Sequence, residues 1–376
     1  MKYYAGIIFF LFFVQIVNAQ STAFTLKGIS LDRIIDAKSI SLGESCVADP
    51  VSPSSYVFNP ANLSEIKGTN LFYNFINRTW YDNSKYVNSD NTAGLVANTS
   101  IGGFMLSVSS TKFNIEHAMF GGTKLEVFTS SVSLGYAREI IKNLSAGIAV
   151  KNLYFSSKMI SASNTSDAKT DRDLNLLGDF GLLYRIDSPL IGNESRVKDR
   201  LYLGASVQNI PLDLKSKIPV HIISRGVNNY DYTTDMETAE YMRLGFSYGF
   251  IIPTELSENT LELVLSGEYK NLINPGSEEK AMRDNYGAGF EVKFMDIIAI
   301  NLGGVMKNEL SDFYERGKFK LNLGLSIDLP LKYINKNLPF KIGFDYTNLF
   351  MNQDAKGSSE HLPVFNLWLR YDGNLF

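Results

Sequence analysis

The chain has one cysteine, Cys46, three histidines and two tryptophans in 376 residues. A lone thiol excludes an intrachain disulfide, and with no histidine nearby in sequence it reads as a small buried residue, not a nucleophile. His117, His221 and His361 are too far apart to suggest converging metal ligands. There is no Walker loop and no His-Glu-x-x-His. No enzyme activity, metal or cofactor is therefore expected. The formal net charge of -3 gives no basic stripe for nucleic acid. Past residue 19 the chain also lacks any apolar run near the roughly 20 residues that a membrane helix needs.

What is present is apolar content without runs. Hydrophobic residues make up 45% and aromatics 12% of the sequence. Spread over alternate positions, that content suits a β-barrel with one face in lipid. Phe319, Leu321, Leu323, Leu325, Ile327 and Leu329 alternate with Lys320, Asn322, Gly324, Ser326 and Asp328. Successive side chains of a strand point to opposite faces, so the two sets lie on opposite walls. The same contrast recurs at Leu174–Arg185, Met242–Phe250 and Phe340–Thr347. The pattern predicts a transmembrane antiparallel barrel of about fourteen strands, near 70–79, 90–99, 101–112, 125–138, 141–156, 173–186, 199–210, 240–252, 260–271, 284–295, 297–307, 317–329, 339–351 and 362–374. Connections after even strands are mostly short. Those after odd strands are mostly long, and the longest is 211–239. This asymmetry is that of an outer-membrane barrel with both chain ends in the periplasm. All three histidines then fall in outer loops.

Residues 1–19 read as a signal peptide: Lys2, an apolar run from Ala5 to Val17, and a Val17-Asn18-Ala19 cleavage site. Residues 20–68 read as a separate N-terminal plug, and 69–376 as the barrel. The stretch Ser39–Ser64 is rich in small residues and broken by Pro50, Pro53 and Pro60. Ala37–Ala48 suits a short helix ended by Asp49-Pro50. Asn59-Pro60 suits a second helical start, with Asn as cap and Pro at the first position. An ordinary N-terminal helical anchor is the plainer reading of the same residues.

Leu42-Gly43-Glu44, preceded by Asp36-Ala37-Lys38-Ser39 and followed by Ala48-Asp49 and Asn59-Pro60-Ala61-Asn62-Leu63, resembles the opening of the PorV/PorQ family, Bacteroidetes-type outer-membrane proteins of the FadL-like superfamily. Asn59-Pro60-Ala61 also resembles the N-terminal hatch of FadL fatty-acid transporters. Lys38 stands where the first family usually has Arg, and Ser45 where it prefers Ala. The PorV/PorQ resemblance implies a Gram-negative outer-membrane location and an accessory role in type IX secretion or surface attachment of cargo. Its partners would be membrane lipid and either secretion-system subunits or cargo proteins. The FadL resemblance implies instead a channel for hydrophobic small molecules.

Two patterns bear on the lumen. Leu203-Gly204-Ala205-Ser206, Leu244-Gly245-Phe246-Ser247 and Leu323-Gly324-Leu325-Ser326 each place Gly then Ser inward, and Gly147, Gly181 and Gly343 join them. A small-residue layer makes room for a plug, or simply relieves curvature. The inward charges include Arg185, Arg243, Glu291, Lys320, Asp345 and Arg370. They are mixed in sign, which favours cross-lumen pairs around a plug over an ion-selective pore. Phe376 reads as a terminal aromatic signal for membrane assembly, although its parity differs from Phe365, Leu367, Leu369 and Tyr371 and needs a bulge near Gly373.

Overall fold

The computed structural model describes residues 36–372, apart from 51, 82–83, 118–122, 162–163, 192–196, 213–216, 226–228, 238–239, 255–256, 274–283, 308–318, 336 and 351–360. The signal-peptide region and Phe376 lie outside the described residues, as does the side chain of Lys320. The strands are β1 Thr69–Tyr81, β2 Ser84–Thr99, β3 Gly102–His117, β4 Thr123–Ile141, β5 Leu144–Ser161, β6 Asn164–Asp187, β7 Lys198–Pro211, β8 Lys217–Arg225, β9 Asn229–Glu237, β10 Tyr241–Thr254, β11 Ser257–Leu272, β12 Asp284–Phe294, β13 Ile298–Lys307, β14 Phe319–Pro330, β15 Phe340–Phe350 and β16 His361–Tyr371. Fourteen of them close into one antiparallel barrel, with β1 paired to both β2 and β16. β7 pairs directly with β10. β8 and β9 form a separate two-stranded hairpin between them.

Every expected strand is present, but several run further than the alternation predicts. The connections expected at 80–89, 113–124 and 157–172 are largely strand, because the hairpins β1–β2, β3–β4 and β5–β6 continue past the apolar belt. The backbone ladder carries on there. The expected loop 211–239 likewise contains the β8–β9 hairpin. His117, His221 and His361 accordingly sit at strand positions and not in loops. At the other end the turns are short, as at Ser100-Ile101 and Met295–Ile297, where Met295 and Asp296 adopt positive φ.

Alternation sorts the two faces. Leu321, Leu323 and Leu325 are exposed, whereas Asn322, Gly324 and Ser326 are buried. Leu174, Leu176, Phe180, Leu182 and Tyr184 are exposed against buried Asn175, Asp179 and Gly181. An apolar exterior around a polar interior inverts the soluble pattern and is the arrangement that hydrocarbon selects. Along β6 and β7 the register shifts between Gly178 and Phe180. Asn209, at φ 60°, forms the bulge. Its N–H donates to Asp179 Oδ1 at 2.8 Å, and Lys151 bridges Asp179 Oδ2 at 2.5 Å and Asn209 Oδ1 at 3.1 Å.

This sorting makes a direct prediction. Leu323→Arg places a charge on the apolar exterior and should destabilise the folded barrel by about 2–4 kcal/mol. Asn322→Ala, one residue away, forfeits only an interior hydrogen bond worth about 1 kcal/mol. Urea titration of barrels folded into vesicles measures both, and equal losses would mean that the faces are misassigned.

Candidate functional site

The barrel interior is filled by residues 36–66. The segment begins with α1, Ala37–Ser41. Asp36 caps it, accepting from Ser39 N at 2.6 Å and Ser39 Oγ at 2.8 Å. The same carboxylate accepts from the hydroxyls of Ser54 and Ser52, so it ties the start of the plug to its middle. The expected helix to Ala48 stops at Ser41, because Gly43 and Glu44 take left-handed φ values of 65° and 59°. Gly43 is suited to that conformation, and it also allows contact with the wall. Asn59 does cap the next turn, a 3-10 helix over Pro60–Ser64. Its Oδ1 accepts from Ala61 N at 3.0 Å, and Pro60 sits at the first position.

The predicted motif residues converge on the wall. Leu42, Gly43 and Glu44 are buried, with Leu42 and Gly43 against β12 and β13; Asn59, Pro60 and Ala61 are buried against β5 and β6. The contacts run backbone to backbone at Gly103, Gly147, Gly204 and Gly303, and backbone to plug side chain at Gly181 and Gly324. A methyl group on Gly303 would overlap Leu42 and Gly43, and one on Gly204 would overlap Val47 and Ala48. Gly103 meets Leu63, Gly147 meets Pro60 and Ala61, Gly181 meets Asn59, and Gly324 meets Ser41. The inward small-residue layer is thus the seat of the plug. Gly343 is an exception, since the Trp368 side chain of the neighbouring strand lies over it.

Polar side chains of the wall satisfy the plug's irregular backbone. Asn322 Nδ2 donates to Ile40 O at 2.9 Å, and Ser206 Oγ donates to Phe58 O at 2.6 Å. Gln208 donates to Val57 O. Val47 N donates to Glu268 Oε2 at 2.9 Å. Asn59 Nδ2 reaches both Val47 O, at 2.8 Å, and Leu182 O of β6, at 2.9 Å. The predicted inward charges mostly find partners. Arg243 pairs with Glu268 at 2.5 Å and lies 5.0 Å from the Phe58 ring centre. Glu291 pairs with Lys38 at 2.6 Å, both side chains being under a tenth exposed. Burial opposes the Lys38 charge, but Glu291, with Asp49, holds its pKa above the ordinary lysine value. Arg185 Nη1 donates to both Glu65 oxygens at 2.9 and 3.0 Å, where the plug leaves for β1. Asp345 is buried and accepts from Asn366 at 2.8 Å. Arg370 stacks near Trp368 and pairs with Asp372 at 2.5 Å.

An apolar cluster holds the other half of the plug. Tyr56, Leu63 and Ile66 pack with Phe72, Val96, Met105 and Trp368 of the wall. Beside Tyr56 lies a cavity of about 50 Å³, lined among others by Thr92, Ser107, Ser131, Ser133 and Lys151. The hydroxyls share the lining with Val57, Leu153 and Leu177. Cys46 is buried in the plug, and burial pushes its thiol pKa well up, so it is a packing group. Gly245-Phe246-Ser247-Tyr248-Gly249 has the spacing of a nucleophile elbow but runs straight through β10 without the strand-to-helix turn that exposes such a serine. The Asp36 hub, the Asn209 bulge and the Glu65–Arg185 latch escape sequence reasoning. Only the first leaves a local trace, an Asp directly before a helix start.

Removing one partner of a buried ion pair strands the other. Lys38→Met should loosen the seated plug by about 3–5 kcal/mol, whereas Lys38→Met with Glu291→Met should recover most of that loss. Protease protection of the 36–66 segment across denaturant reads the difference. Equal losses in the single and double variants would contradict the pairing.

No family model and no curated protein matches the chain. Among solved structures it is similar to the Pseudomonas putida toluene transporter TodX, at 11% identity and a TM-score of 0.51, over 94% of this chain and 100% of that one. A deltaS2 mutant of the TodX monoaromatic hydrocarbon channel gives 12% identity and 0.52, over 92% and 97%. A Pseudomonas aeruginosa FadL homologue gives 13% identity and 0.48, over 95% and 99%. Identities this low speak to the fold alone, and the chain shares with TodX a closed antiparallel β-barrel fold, of fourteen strands here.

Proposed function

We propose that this protein is a plugged outer-membrane barrel that serves protein secretion, as an accessory of the type IX kind that helps to carry or attach cargo at the cell surface. Its partners are then secretion-system subunits or cargo proteins, and it resides in the outer membrane of a Bacteroidetes-like cell after loss of a signal peptide. The observation that carries the reading is the seat of the plug. Gly43 and Leu42 lie on Gly303, and Val47 lies on Gly204, at backbone contact, with the plug's carbonyls bonded to wall side chains. A barrel closed this firmly presents a fixed surface at its ends instead of a conduit through its centre.

A second reading, a channel for hydrophobic small molecules, is favoured by the likeness to TodX. It calls for an apolar chamber beside the hatch. The cavity at Tyr56 is small for such a chamber, at about 50 Å³, and Ser107, Ser131, Ser133 and Lys151 share its lining with Val57, Leu153 and Leu177.

Deleting the gene should release or mislocalise surface-attached cargo while leaving uptake of monoaromatic and long-chain hydrophobic substrates unchanged. Cell fractionation and radiolabelled uptake measure the two outcomes in one strain. Lost uptake with normal cargo display would select the channel reading.

A further inference from the structure

The apolar belt is not equally tall around the barrel. On β12, β13 and β14 the outward apolar residues run from Tyr286 to Phe294, from Ile298 to Met306 and from Leu321 to Leu329. Nine residues at about 3.3 Å each, tilted about 40°, cover about 20 Å of the membrane normal. On β2 and β3 the outward apolar residues are Ala93, Leu95 and Ala97, then Phe104, Leu106 and Val108. Five residues cover about 10 Å by the same geometry. Exposed apolar residues at the turns extend both flanks alike, Ile101 on one and Met295 on the other.

Above the low belt the outward positions turn polar together. Asn91, Ser110 and Ser130 pair directly across β2, β3 and β4. Asn152 on β5 and Lys112 on β3 are exposed beside them. The row faces outward, because Tyr73, an exposed residue of β1, donates its hydroxyl to Asn91 Oδ1 at 2.8 Å. Next to it Phe128 and Tyr154 pack edge to face at 6.4 Å, as aromatic residues do at a membrane interface. Amides, hydroxyls and an ammonium at this depth are unfavourable in hydrocarbon. The apolar residues below the row remain exposed and continuous with the rest of the belt, so the flank still faces acyl chains.

We propose that the outer membrane is thinned locally against β2–β5, its hydrocarbon ending at the Asn91–Ser110–Ser130 row while it keeps full height against β12–β14. The ligand of this surface is the bilayer, deformed to match a low belt. The inference rests on the membrane setting of the barrel and not on either functional reading.

Single cysteines at Ser110 and, as a second variant for the same row, Asn91 carry an environment-sensitive fluorophore in vesicles containing lipids with quenchers at headgroup or deep acyl positions. Native Cys46 is buried, and heat-modifiable migration checks that each variant is folded. Both labels should be quenched best from the headgroup position, and a label at Leu302 from the deep one. The triple variant Ser110→Leu, Ser130→Leu, Asn152→Leu should shift the best-folding acyl length by about two carbons or more upward. Deep quenching at Ser110 and Asn91 would overturn the proposal. So would escape from both quenchers, which would put a protein or a second copy on this flank.

Discussion

The structure depends on how closely two stretches of backbone approach each other. The plug has only a small core of its own, Leu42, Cys46 and Phe58. It is about thirty residues of short helix and turn laid against a wall, and it lies that close because the wall has no side chain at the points of contact. Gly103, Gly147, Gly181, Gly204, Gly303 and Gly324 come from six strands and meet the plug at successive positions along its path. A strand interior gains nothing from glycine and loses some stability, so their concentration on the inward face makes sense only with something to receive. What they receive is irregular backbone, whose carbonyls and amides need partners that a regular helix would not.

Those partners come from the same wall. Ser206, Gln208, Asn322 and Glu268 reach plug backbone groups, and Gly204 and Gly324 occupy inward positions next to Ser206 and Asn322. The alternation Gly then Ser or Asn along a strand therefore has two jobs: one position brings the backbones together and the next satisfies them. The charged pairs add selectivity. Lys38 sits opposite Glu291 and Val47 N opposite Glu268, two contacts that favour one register of the plug in the lumen.

Much of this was legible in the sequence, and for a physical reason. A strand between lipid and lumen must alternate, so Leu321, Leu323 and Leu325 against Asn322, Gly324 and Ser326 carry fold, face and register in a few residues. The inward glycines were legible as a layer. Which plug residue each one meets was not, since such contacts join positions far apart in the chain, such as Gly303 and Leu42. Gly343 shows the limit of the pattern: it shares the parity of the others but serves the Trp368 ring. The length of the hairpins β1–β2, β3–β4 and β5–β6 was not legible either, since their ladders continue beyond the apolar belt by which the strands are recognised. The early end of α1 has a local signal in Gly43, just past the cap, but that Glu44 follows it into a left-handed conformation is not something a non-glycine residue announces.

A lumen closed by backbone contact differs from one closed by a side-chain lid. Thermal motion of a few side chains will not open it, but a single added side chain at the seat should. The most direct measurement is single-channel conductance in planar bilayers of the wild-type protein against Gly303→Leu and Gly204→Leu, with Gly249→Ala, where an added methyl meets only Val264 and Leu263 at ordinary contact, as a glycine change away from the plug. The account predicts a silent wild type, a silent Gly249→Ala and steady conductance from both seat variants in folded barrels. A wild type that already conducts, or seat variants that fold and stay closed, would contradict it.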